Sequence, residues 1–135
     1  MAVEITGSYT GKLKMELTHG PSGAVIRTDA PKDNQGDGSS FSPTDLLAAA
    51  LGSCAVTTMA IVAAREGISF GEASFRIEKH MRSDPRRVAR LPLTIRMPSD
   101  LDTGQRHRLE QIARGCPVAR SLSPEVEVEM EFEYR

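Results

Sequence analysis

The chain has few cysteines, almost no net charge and no long uncharged apolar run, and each shortage removes a class of function. Its 135 residues hold two cysteines, too few for the disulfide framework of a small secreted domain. In a reducing compartment such a pair cycles, binds metal or simply packs. Seventeen lysines and arginines against 18 aspartates and glutamates leave a net charge of −1, so no basic field invites a nucleic acid. The opening MAVEITGSYTGK has no basic region followed by an apolar run, and no uncharged apolar stretch reaches the roughly 20 residues that span a bilayer. The expectation is a soluble cytoplasmic protein with neither nucleic acid nor membrane as a partner. No Cys-x-x-Cys or His-x-x-x-His spacing joins His19, His80 and His107 to the cysteines, which argues against a metal site. The loop Gly36-Asp37-Gly38-Ser39-Ser40 lacks the Walker lysine and the dinucleotide fingerprint, leaving a hinge or lid.

At this length one domain, residues 1–135, is expected, with enough chain to bury a core unaided. From Val3 to Thr28 short strands are broken by Gly11 and by His19-Gly20-Pro21-Ser22-Gly23, and Leu13, Met15 and Leu17 alternate with Lys12, Lys14 and Glu16. This predicts a three-stranded meander. Asp29 to Ser40 is polar and rich in loop formers, so it reads as a mobile loop. Ser42-Pro43-Thr44-Asp45 places a serine at the N-cap, a proline at the first helical position and an acid at N3, the start of a helix. The helix runs to Gly67, apolar in nearly every direction, so it must be buried on most sides in a core or at a subunit interface. Ala73, Phe75, Ile77 and Met81 alternate with polar residues, as do Leu91, Leu93, Ile95 and Met97, giving two half-buried strands. Leu101 to Arg114 fits a mostly polar helix, a short helix follows Cys116-Pro117 as far as Leu122, and Glu125 to Tyr134 alternates glutamates with apolar residues as only a strand can use. The layout is α+β, antiparallel sheets packed on helices.

Chemistry points to the thiols. A cysteine attacks as its thiolate and needs a cation, a helix N-terminus or hydrogen bonds to lower its pKa. Cys54 lies deep in the long helix, where a small buried hydrophobe is the plainer reading. Cys116, before Pro117, can sit at the N-cap of the short helix, which locally makes it the more acidic thiol. Arg82, Arg86, Arg87 and Arg90 cluster around Asp84-Pro85 and read as a solvated hairpin turn.

The stretch SPTDLLAAALGSC, preceded by Thr28-Asp29-Ala30-Pro31 and a glycine-rich loop and followed later by Cys116-Pro117-Val118, resembles the OsmC/Ohr family, especially its YhfA-like branch. The resemblance spans nearly the whole chain. It implies an OsmC-like fold, a long central apolar helix under antiparallel sheets in an intertwined homodimer. It also implies a thiol-dependent peroxidase of oxidative stress defence, reducing organic hydroperoxides, with no metal or organic cofactor. Cys54 takes the role of peroxidatic thiol and Cys116 that of resolving thiol, and an external dithiol reduces their disulfide. The family order thus opposes the local N-cap argument.

The peroxidase branches carry an arginine near the start of the fold and a glutamate at the helix start, which together activate the first thiol. Here Thr44 aligns with the glutamate, Asp45 follows it, and Arg27 is the arginine before the loop, with Lys12 and His19 as the other nearby cations. A straight helix rises about 13 Å from Asp45 to Cys54, so that acid reaches the thiol only from a partner subunit. Leu51, Met59 and Phe41 are candidate linings of an apolar hydroperoxide pocket between subunits. Two rival readings stand beside the peroxidase: a weakly active or non-catalytic dimer binding a small apolar ligand, and a purely structural interaction module.

Overall fold

The computed structural model describes residues Met1–Arg135, which divide into two compact units, Met1–Leu47 and Ala48–Arg135. In the first, strands β1 (Ile5–Gly11), β2 (Lys14–His19) and β3 (Val25–Asp29) form the expected antiparallel meander. Gly11 pairs with Lys14, so Lys12 and Leu13 alone make the first turn, both at positive φ (56° and 65°). Such a two-residue turn matches the right-handed twist of its strands. Leu13 therefore belongs to the turn and not to the alternating strand.

The segment after β3 departs from the expected mobile loop. Asp29 is 1% exposed, and a buried carboxylate must be paired. Its Oδ2 accepts hydrogen bonds from the Ser39 amide (2.9 Å) and hydroxyl (2.6 Å), and Lys14 Nζ lies 3.5 Å from Oδ1 and 2.8 Å from Asp37 Oδ2. Asn34 and Gly36 amides donate to the Pro31 carbonyl, and Gly38 to that of Ala30. A Cβ at Gly36 would overlap the Ala30 carbonyl, so only glycine lets the chain fold back so closely. The polar composition encodes a pinned loop organised around one buried anion.

Helix α1 (Pro43–Glu66) starts with a reciprocal cap: the Asp45 amide donates to Ser42 Oγ (3.1 Å) and the Ser42 amide to Asp45 Oδ2 (2.8 Å). It is long and apolar enough to cross a membrane by length and composition, so the length argument against a span fails for this helix. Within the chain only one face is buried, not most sides: Leu51, Ala55, Met59 and Ala63 are fully covered, whereas Ile61 remains 56% exposed.

In the second unit an eleven-residue strand, β6 (Arg87–Met97), organises the sheet. The alternation from Ala73 to Met81 forms two short strands, β4 (Ser74–Ile77) and β5 (His80–Arg82), both antiparallel to β6. The arginine-rich turn joins β5 to β6, with Arg87 and Arg90 drawn to Glu125 and Glu129. After β6 come α2 (Thr103–Arg114), α3 (Pro117–Ser121) and β7 (Glu127–Tyr134). The sheet pairs are antiparallel except one: β7 runs parallel to β6, because α2 and α3 carry the chain back across the sheet before it begins.

Register sorts the side chains by face. Phe75 pairs with Ile95, Ile95 with Phe132, Leu93 with Met130 and Met97 with Tyr134. Residues directly opposite share a face, so this one is apolar, and Leu91, Leu93, Ile95 and Met97 are at most 1% exposed. Helix α2 covers its β7 side, with the Arg106 guanidinium 4.1 Å from the Tyr134 ring centre and Arg114 5.1 Å from that of Phe132. The Tyr134 hydroxyl donates to Glu110. Helix α1 meets the β4 side, where Phe75 lies against Gly52 so closely that a Cβ would overlap the ring.

Two predictions follow from this packing. Gly52→Ala gains helix propensity of about 1 kcal/mol, but overpacking costs about 1–3 kcal/mol. The variant is expected to unfold at lower denaturant, with Phe75→Leu restoring part of the loss in the double variant; an unchanged midpoint would show that the ring moves freely. Asp29 is held below the usual carboxylate range by Ser39 first and Lys14 second. Its folded pKa is depressed, so its stabilisation is complete above the ordinary aspartate range and is lost as pH falls through the folded value. Asp29→Asn should flatten the acid limb of stability measured from about pH 5 downward, and equal slopes would overturn the assignment.

Candidate active site

Three helices place the two thiols. Cys54 lies in the middle of α1, half-buried. Helix α2 starts with a capping box, the Gln105 amide donating to Asp102 Oδ1 (2.8 Å) and the Asp102 amide to Gln105 Oε1 (3.1 Å). It stops at Gly115, whose amide turns back to the Gln111 carbonyl while that of Cys116 reaches Ala113. Arg120 Nε donates to the Gly115 carbonyl (2.7 Å), clamping this joint. Cys116 is thereby delivered to the N-cap of α3, with Pro117 at the first helical position. Proline costs nothing there, since that amide lacks a helical partner anyway.

Both cysteines are free thiols, and Cys54 is near enough to Cys116 to act on its proton affinity. Their environments differ. Cys116 is fully buried, and burial, ahead of every other cause, pushes its pKa up; the nearby Cys54 pushes the same way. The amides of Ala119 and Val118 pull it down, but neither forms a side-chain capping hydrogen bond. The expectation that the N-cap makes Cys116 the more acidic thiol is therefore corrected: desolvation of a buried sulfur outweighs a one-turn helix. One helical turn further along α1, Thr58 Oγ1 lies 3.8 Å from Cys54 Sγ.

Asp45 is engaged in the helix cap, with Thr44 Oγ1 3.2 Å from Ser42 Oγ. Arg27 is 3.1 Å from Glu16 across the β2–β3 pair, and the side chain of His19 meets Ser22. Leu51 and Met59 are fully buried and Phe41 is 55% exposed, so the first two are core residues and line no open pocket within the chain. A hollow of about 410 Å³ lies instead along Ser53, Val56, Thr57, Ala73, Ser74 and Phe75. Sequence reading passed over Thr58, although its place four residues after Cys54 put it on the same helix face. No three His, Cys, Asp or Glu side chains gather to hold a metal ion.

Residues 36–131 match the model of the OsmC-like protein family. A candidate osmotic stress induced and detoxification response protein from Psychrobacter arcticus 273-4 is 37% identical, with a TM-score of 0.90 over 95% of this chain and 93% of that one. Two structures resemble it in fold at 18% identity. They are the organic hydroperoxide resistance protein OsmC of Legionella pneumophila (TM-score 0.76, 98% of this chain and 97% of that one) and the organic hydroperoxide resistance protein OhrB of Bacillus subtilis (TM-score 0.70, 98% of both). No curated protein sequence matches the chain.

The raised Cys116 pKa has a testable sign. The folded state keeps its thiol proton where the unfolded chain has lost it, so this contribution to stability is complete below the ordinary thiol range and falls away as pH rises above it. Unfolding midpoints should decline above about pH 9 and decline less in Cys116→Ala; superimposable alkaline limbs would refute the assignment.

Proposed function

This chain belongs to the OsmC-like protein family, and on that footing we propose that it is a thiol-dependent peroxidase that reduces organic hydroperoxides through Cys54 and Cys116. The observation that carries the reading is the asymmetry of two neighbouring free thiols, one half-exposed and one fully buried. A peroxide reaches Cys54, whereas Cys116 is shielded until its partner is oxidised.

The Cys54 thiolate attacks one peroxide oxygen. A sulfur–oxygen bond forms, the O–O bond breaks, and the departing alkoxide takes a proton to leave as alcohol, with Cys54 now a sulfenic acid. The Cys116 sulfur, as its thiolate, then attacks the Cys54 sulfur; the hydroxide leaves with the proton as water and the disulfide forms. An external dithiol returns both cysteines to thiols by two exchanges and becomes a disulfide itself. The residues present supply this cycle without a metal or organic cofactor.

The whole chain, 1–135, acts as one OsmC-like domain in an intertwined homodimer in the reducing cytoplasm. Support for the dimer comes from apolar side chains left bare, Ile61 at 56% and Phe75 at 39% exposure among them, which a second copy would cover. The rival reading, a weakly active or non-catalytic dimer that holds a small apolar ligand, draws on the pairing of Arg27 with Glu16 and on the engagement of Asp45 in the helix cap.

Cumene hydroperoxide consumption with a dithiol donor separates the two. Cys54→Ser should fall to the rate of free thiol with its fold intact. Cys116→Ser should accumulate a sulfenic acid on Cys54, trapped by dimedone and read by mass. Wild-type turnover no faster than free thiol would leave the binding reading.

A further inference from the structure

We propose that Thr58 is the hydrogen-bond donor that holds the Cys54 thiolate in place, a part filled within this chain's own helix; the proposal rests on Cys54 being the attacking thiol. Residues four apart on a helix stack on one face, and α1 brings Thr58 Oγ1 to 3.8 Å from Cys54 Sγ. With both groups neutral, either can donate. Once Cys54 has lost its proton only the hydroxyl can, so the contact strengthens selectively in the reactive state and becomes charge-assisted. A β-branched side chain in a helix has few χ1 rotamers, so the hydroxyl is held there at small entropic cost.

The titratable group near Cys54 from outside α1 is Cys116, at the N-cap of α3. Within α1 the donor that approaches the Cys54 sulfur is the Thr58 hydroxyl. The arrangement takes up part of the activating work that the Thr44 position, with no carboxylate, cannot do.

The test uses the full-length protein with Cys116→Ala, so that Cys54 is its one thiol. Its alkylation by iodoacetamide is followed by mass against pH, with no peroxide present. In Thr58→Val the pH midpoint should move up by about one unit, with about a tenfold slower reaction below the midpoint and the same plateau at high pH. Thr58→Ser should return the midpoint towards the parent value. Thr58→Ala serves as the donor-free variant should valine disturb the fold, as judged by circular dichroism. Midpoints that coincide for threonine, valine and alanine would overturn the proposal. Because alkylation needs no hydroperoxide, a shifted midpoint with no peroxide turnover would uphold the donor and sink only the peroxidase reading.

Discussion

The need to cover one apolar face of the β6-centred sheet governs the architecture of the second unit. Leu91, Leu93, Ile95 and Met97 point from β6 to a single side, and Phe75, Met130, Phe132 and Tyr134 from the flanking strands join them in register. Leaving that surface in water is costly at roughly 25 cal/mol per Å². Helix α1 answers with Gly52, whose missing side chain admits the Phe75 ring. Helix α2 answers with arginines laid over aromatic rings and a glutamate accepting the Tyr134 hydroxyl. The same unit carries both cysteines, Cys54 on α1 and Cys116 at the N-cap of α3. The site is a by-product of satisfying the sheet.

Polar groups are handled by equally local means. The acid at the start of α1, Asp45, forms a reciprocal cap with Ser42. Glu16 occupies the guanidinium of Arg27. Asp29, buried and bonded by Ser39 and Lys14, turns a composition typical of disorder into a fixed loop. Each case shows a charged side chain whose structural use is decided by its nearest neighbour.

Element types were legible because they rest on local periodicity and capping. The period-2 runs in β6 and β7, the Ser-Pro-Thr-Asp start of α1 and the proline after Cys116 all act within a few residues. Less legible were features set by distant partners. The break between β4 and β5, the parallel pairing of β7, and the Lys12-Leu13 turn, which lacks the usual Asn-Gly signature, could not be read from neighbouring residues. The relative acidity argued for Cys116 failed for the same reason: a helix N-terminus is a local cue, whereas burial of its sulfur depends on the whole unit.

By itself the amino-acid sequence determined the α+β order of elements, the apolar helix carrying Cys54, the proline-backed Cys116 and the motifs shared with the OsmC-like family, since each is written in short-range pattern. Only the tertiary structure decided that Cys54 comes near Cys116, that Cys116 is fully buried with its pKa raised, and that Thr58 flanks Cys54. Proximity and desolvation arise from side chains far apart along the chain, and they exist only once the sheet's apolar face has been covered.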